Sequence, residues 1–199
     1  ASSAQIGLSM GGDDVTTHPL SNKEDFRQFD QLAVTPTDAR ADEVWSGCYK
    51  AIQSANNIIN NYEKVTGDQA HIRAIAGEAF FFRGMCYYYL VRWWGKIPVI
   101  TSATFDPSML QMSSSEIKDV YKLIEEDLKK AEEMVGDVKP DPGRINKGTV
   151  KAYLAEVYLT ESGWPVKDNS KAALAAQKAK EVMDNKALYG FDLYQGDFN

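Results

Sequence analysis

Apolar residues recur along most of this chain at intervals of three and four, the spacing of a helix that buries one face. From Asp38 the pattern runs Trp45, Cys48/Tyr49, Ile52, Ala55, Ile59 and Tyr62. It predicts an amphipathic helix with Asp38 as N-cap, Asp42 and Glu43 complementing the helix dipole, and Gly67 closing the segment. A second stripe, Ile72, Ile75/Ala76, Ala79, Phe82, Cys86, Leu90 and Trp94, ends at Gly95, and Pro98 prevents a restart. Phe80, Phe81, Tyr87, Tyr88, Val91 and Trp93 widen its apolar face, so this helix should lie between neighbours. Gly77 and Gly84 each cost about 1 kcal/mol in a helix relative to Ala, which points to close approach of another helix.

Beyond a loop carrying Pro98 and Pro107, Ser113 to Glu116 reads as an S-x-x-E capping box. Ile117, Val120/Tyr121, Ile124, Leu128, Ala131 and Val135 form the third stripe, with Glu125–Lys129 and Glu126–Lys130 pairs on what reads as its solvated face. A turn with two prolines leads to the fourth stripe, Val150, Tyr153/Leu154 and Val157, which ends at Gly163-Trp164-Pro165. The fifth is Ala-rich: Ala172, Ala175/Ala176, Ala179 and Val182/Met183, ending near Asn185 before a nonhelical tail with Tyr189, Phe191 and Tyr194. Only Ile97 to Thr101 reads as a strand candidate. The predicted class is therefore all-α, a tetratricopeptide-repeat-like α-solenoid of antiparallel helix pairs.

Residues 1–37 differ from the rest: they form a loop-rich N-terminal segment with one short helix near Lys23 to Asp30, started by a Ser21–Glu24 capping box. Residues 38–199 form the helical-repeat portion, about two and a half pairs. The fifth helix lacks a partner in that count, so its face of Ala172, Ala176, Ala179 and Met183 should be incompletely covered.

Composition narrows the chemistry. Lys and Arg number 22 against 28 Asp and Glu, a net charge of −6 that argues against binding a phosphate backbone. Two His (His18, His71) and two Cys (Cys48, Cys86) do not cluster, and no four-ligand zinc site can be drawn from them. Each Cys sits in a helical stripe and reads as core filler, a Cys48–Cys86 disulfide being the alternative. No apolar run reaches the roughly 18 residues of a membrane-spanning helix, and no signal peptide is visible at the start. A processed or trimmed chain would look the same.

Few motifs invite catalysis. Gly7-Leu8-Ser9-Met10-Gly11 matches the nucleophile-elbow expression G-x-S-x-G but lacks the strand and helix that would strain the turn. No G-x-G-x-x-G, P-loop or H-E-x-x-H occurs, so no cofactor or metal is implied. Asp13-Asp14 reads as a polar loop or as hydrogen-bonding groups for a polar ligand, since adjacent carboxylates rarely face each other across a cleft. Most aromatics lie on the stripes and read as core, among them Trp45, Tyr49, Phe82 and Trp94. Trp164 stands in a loop: it reads either as a plug between helices or as an exposed ring on which a sugar packs its C–H face.

The run Trp45-x-x-x-Tyr49-x-x-Ile52-x-x-Ala55-Asn56-x-x-Ile59 resembles the SusD/RagB family of bacterial outer-membrane nutrient-binding lipoproteins. So do Gly77-Glu78-Ala79-Phe80-Phe81-Phe82-Arg83-Gly84 and, most specifically, Trp94-Gly95-Lys96-Ile97-Pro98-Val99, similar to the family's W-G-x-x-P signature. Ile124 to Ala131, Gly143 to Gly148 and Leu154 to Leu159 continue the likeness in order. The resemblance implies a non-catalytic protein that captures a polymeric nutrient, usually a glycan, and passes it to a SusC-type TonB-dependent transporter. It implies a surface-exposed outer-membrane lipoprotein, held by a lipid anchor on a Cys that this chain lacks. Family members are longer, so the chain is expected to be an N-terminal portion. The ligand region that the resemblance suggests is Asp13, Asp14, Thr17, His18 and Asn22; Trp164 joins it from the reading of the loop above. A helical-repeat adaptor for a protein partner, or a peptide-binding member of the same family, is the alternative.

Overall fold

The computed structural model describes residues 10–13, 15–20, 22–138, 141 and 143–192. It falls into two compact units, residues 1–50 and 51–199. Helices α1 (Glu24–Asp30) and the first half of α2 (Ala39–Ile59) belong to the first. The second half of α2 and helices α3 (Gln69–Trp94), α4 (Ile117–Met134), α5 (Lys147–Ser162), α6 (Lys171–Asp184) and α7 (Lys186–Tyr189) belong to the second. Among the described residues the only β pairing is an isolated antiparallel bridge between Ile97 and Ser115, so the strand candidate at 97–101 is reduced to one bridge.

In the first unit, Asp38 caps α2 as expected: its Oδ1 accepts from the Arg40 and Ala41 amides at 2.8 and 3.0 Å. Arg40 lies 4.8 Å over the Phe26 ring and bonds Asp25 through Nε at 2.6 Å, which holds α1 on the start of α2. Of the Ser21–Glu24 box, Ser21 lies outside the described residues; the N-cap of α1 is Lys23, without a side-chain bond, and Glu24 is the first helical residue.

In the second unit helices α3 to α6 run antiparallel in sequence order. Gly77, near the start of α3, abuts Met134 and Val135 at the end of α4, and Gly84 abuts Leu128, the close approach that both glycines predicted. Lys151 of α5 pairs with Glu132 of α4, and also with Glu181 of α6. Glu161, near the end of α5, lies 4.0 Å from Lys171, the first residue of α6. The core of these layers is Tyr87, Tyr88, Leu90, Val120, Ile124, Leu128, Val150, Leu154 and Val157, all nearly inaccessible. This is the all-α, tetratricopeptide-repeat-like arrangement read from the stripes.

Several local expectations give way to tertiary contacts. Helix α2 ends at Ile59 rather than near Gly67; a 3₁₀ turn at Tyr62–Lys64 follows, and Asp68 caps α3 through the Ala70 and His71 amides. Ser113–Glu116 is not a capping box, because the Ser115 amide donates to Ile97 O at 2.8 Å and α4 begins only at Ile117. In the aromatic run the buried ring is Phe81, packed edge-on against Tyr153 at 5.3 Å, while Phe82 is 43% exposed. Tyr189 is not in a nonhelical tail: it ends α7 and is buried over Gly148, where a Cβ would stand 2.5 Å from its ring. Tyr194 lies outside the described residues. Cys86 is buried and Cys48 half-buried, both as thiols, so the disulfide alternative falls. On α6 only Ala175 is buried, and Ala172, Ala176, Ala179 and Met183 are exposed, as expected of that face. No described helix is long and apolar enough to cross a membrane.

Candidate functional site

Two places carry the residues singled out in the sequence, one in each unit. In the N-terminal unit, the loop before α1 is tied to the last residue of that helix. Asp30 Oδ2 accepts from Thr16 Oγ1 at 2.9 Å, Thr17 N at 3.1 Å and Thr17 Oγ1 at 2.9 Å. The Thr17 amide, with the two hydroxyls, holds the Asp30 carboxyl below the usual carboxylate range. His18 Nδ1 accepts from the Leu20 amide at 3.1 Å and closes a turn around Pro19. Thr17 is half-buried, whereas Asp13, His18 and Asn22 are exposed. Asp14, and Ser9 of the G-x-S-x-G match, lie outside the described residues. The loop thus presents polar groups to solvent from a backbone anchored at one point, and that anchor, Asp30, had no signal in the sequence.

Trp164 occupies the turn between α5 and α6 and is 78% exposed, so it does not plug the helices. Backbone bonds fix the turn: the Lys167 amide donates to Gly163 O at 2.7 Å and the Asp168 amide to Glu161 O at 2.9 Å. Asp168 Oδ1 accepts from Ser170 N and Oγ ahead of α6. Lys167 takes a left-handed conformation, φ 58°, which carries its ammonium to 4.7 Å from the centre of the Trp164 ring. The indole is thus a flat apolar surface left in water on a turn of fixed backbone, with the Lys167 ammonium beside its ring.

Beside this turn lies a cavity of about 400 Å³ between the start of α4, the end of α5 and the start of α6. Lys118, Lys122, Lys167 and Lys171 line it, together with the carboxyls Glu125, Glu161 and Asp168. Glu125 is buried and accepts from both Lys129, at 2.7 Å, and Lys171. Burial opposes its ionisation, but the two ammoniums outweigh it and hold the carboxyl below its ordinary value. Glu161 is 3% exposed, and its Oε2 has no hydrogen-bond partner among the described residues. Burial first, and the Glu125 charge second, push its carboxyl up to about 7. The reading of Glu125–Lys129 as a solvated pair is thereby corrected, and Glu126–Lys130 forms no ion pair: Lys130 meets Glu133 instead, at 3.3 Å. A signal for Glu125 existed. It stands four residues after Tyr121 and three before Leu128, on the buried face of α4.

Among the described residues no group of three or more His, Cys, Asp or Glu is placed to hold a metal ion. What the two places offer is hydrogen bonding, an aromatic face and charge.

Comparison with known proteins agrees with this picture. A family model described as starch-binding and associating with the outer membrane matches residues 9–159. The chain is 35% identical over 150 residues to a SusD-like protein, P2, of Formosa agariphila, covering 75% of this chain and 28% of that one. It is 33% identical over 172 residues to a SusD-like protein of Bacteroides ovatus, covering 82% and 31%. The chain thus spans about a third of the length of these relatives. Among solved structures, a laminarin-binding SusD-like protein superposes with a TM-score of 0.82 at 27% identity, over 94% of this chain and 40% of its own. A crystal structure with a xylogluco-oligosaccharide superposes at 0.79 and 28% identity, over 96% and 37%. With a family model matched over most of its length and the same helical layers in the solved relatives, this chain belongs to the SusD-like family.

Proposed function

We propose that this chain is part of a non-catalytic protein that captures a glycan at the bacterial cell surface. The observation that carries the reading is the Trp164 indole, 78% exposed on a turn whose backbone is fixed by hydrogen bonds. Tryptophan joins a large apolar face to a polar N–H, the combination that enriches it where proteins meet ligands and partners. The pyranose C–H face is the natural complement of such a ring. Laminarin and a xylogluco-oligosaccharide are the ligands named for two structural relatives, which supports a glycan as the class. The exposed Asp13, His18 and Asn22, and the adjoining Asp14 and Thr17, supply further hydrogen-bonding groups in the other unit.

The proposal extends to delivery of the glycan to a SusC-type TonB-dependent transporter, from a lipoprotein anchored in the outer membrane. The family's description as associating with that membrane supports the location. Calorimetric titration against a panel of neutral and acidic oligosaccharides tests the binding. W164A is expected to weaken it by about tenfold or more. A protein that binds none of the panel but binds peptides would overturn the glycan reading. Co-purification of a transporter barrel with the full-length protein tests the partner.

A further inference from the structure

The cavity beside Trp164 has a sign of charge that the chain as a whole does not. The protein carries a net charge of −6, yet four lysines converge here. Two of the three counter-charges are engaged or sequestered: Glu125 is taken by Lys129 and Lys171, and Glu161 is buried. Asp168, hydrogen-bonded to Ser170 at the head of α6, is the carboxylate left in the recess, and the charges of Lys171 and Lys118 act on it. Lys118 and Lys122 form no ion pair among the described residues, and the contact of Lys167 is the face of Trp164. Three ammoniums outside any close ion pair therefore face one recess against a single carboxylate, Asp168, that no ion pair or burial removes. Lys118 stands in the first turn of α4, where the helix dipole adds to the positive potential, and Lys122 follows one turn later on the same face. At the floor, Glu161 Oε2 is a buried polar atom still lacking a partner among the described residues, the kind of group that a ligand hydroxyl or a water satisfies.

We propose that the glycan recognised at Trp164 is an anionic one, whose carboxylate or sulfate groups pair with Lys118, Lys122 and Lys167 in this cavity. The inference rests on reading Trp164 as the sugar platform. One sugar ring packs on the indole, and the charged substituents of its neighbours reach the lysines, which are continuous with the platform through Lys167. A neutral glycan seated in the same place would strip water from ammoniums without replacing it, so the arrangement selects by penalty as well as by attraction.

The test is titration of the full chain, at low and at physiological salt, with three kinds of probe. These are a galacturonic acid trimer, a sulfated carrageenan oligosaccharide, and neutral xyloglucan and laminarin oligosaccharides. One of the two anionic probes is expected to bind best, with an affinity that falls as salt rises. K118Q/K122Q should lower that affinity roughly tenfold, two lost ion pairs, and strengthen rather than weaken any binding of neutral probes, because the ammoniums no longer have to be stripped of water. W164A should lower binding of every probe. Both lysines are exposed, so an unchanged thermal melt is the expected control. Equal, salt-independent binding of neutral and anionic probes overturns the inference and leaves the glycan reading standing. So does anionic binding that K118Q/K122Q does not alter. Binding of no glycan overturns both.

Discussion

Arg83 and Asp127 meet through two parallel hydrogen bonds, Nε to Oδ2 at 2.8 Å and Nη2 to Oδ1 at 2.7 Å, between α3 and α4 and almost out of reach of water. The remaining guanidinium nitrogen, Nη1, donates to Asn56 Oδ1 at 2.8 Å, and Asn56 Nδ2 donates in turn to Ile100 O and Ser102 O. Three helices and the loop after α3 are thus joined by one polar chain. Removing either charge strands the other in the interior. R83A and D127A are each expected to lose about 3–5 kcal/mol in urea unfolding. A double replacement by Met and Leu should cost clearly less than either single change, since no charge is then left unpaired. Equal losses for the single and double variants would show that packing, not the unpaired charge, sets the cost.

Three helical glycines separate backbone propensity from packing. At Gly47 in α2 an added methyl group would meet nothing within 4 Å, so G47A should gain about 0.5–1 kcal/mol. At Gly84 the nearest atoms, on Leu128 and Asp127, stand 3.3–3.4 Å away, so propensity and crowding should nearly cancel in G84A. At Gly77 a Cβ would meet Met134 Cβ at 2.8 Å and the Val135 amide nitrogen at 3.2 Å. The helices must then part, and G77A should lose about 1–3 kcal/mol. Denaturant midpoints ranked in the order 47, 84, 77 are the expected outcome, and a destabilising G47A would contradict it.

The helices were legible because burial writes itself into spacing: Val120, Ile124, Leu128 and Ala131 on α4 are predicted core and are fully buried. What spacing could not show was set by contacts far apart in sequence. Phe81 and Phe82 are neighbours about 100° apart on α3, and which one is buried is decided by Tyr153 of the distant α5. Ser113 to Glu116 has the letters of a cap, but the Ser115 amide is already engaged by Ile97. At Trp164 the loop has no period, so plug and platform were both compatible with the residues; the 78% exposure removes the plug. The lysine cavity was hidden for the same reason, because its groups come from α4, α5, the turn and α6.

Asp30 sets the pH response of the N-terminal loop. Its carboxyl is held below the ordinary carboxylate range by the Thr17 amide and the Thr16 and Thr17 hydroxyls, all of which bond the ionised form. The support they give is therefore present above the unfolded value of 3.8 and is lost as pH falls through the lower folded one. Hydrogen exchange at the Thr17 amide should be slow at neutral pH and lose its protection only in strong acid. D30A should remove that protection at every pH while leaving the unfolding of the second unit unchanged. A Thr17 amide that stays protected in D30A would mean that the loop is held by other contacts.

Glu161 should give the opposite pH dependence. Its folded value, about 7, lies above the 4.5 of an unfolded glutamate, because burial and the Glu125 charge both oppose its ionisation. Below pH 4.5 the group is protonated in both states and costs nothing. As pH rises from there to about 7 the unfolded chain gives up its proton while the folded one keeps it, so stability falls. E161Q removes the titration and keeps the shape. It should match the parent protein near pH 4 and exceed it by about 1–3 kcal/mol at about pH 8. Glu125 supplies the control: its carboxyl is held low by Lys129 and Lys171, so E125Q should lose stability in mild alkali and approach the parent as pH falls. Opposite slopes for two carboxyls that line one cavity would show that Glu161 is the group kept protonated there. Parallel slopes would show that the two share their charge evenly.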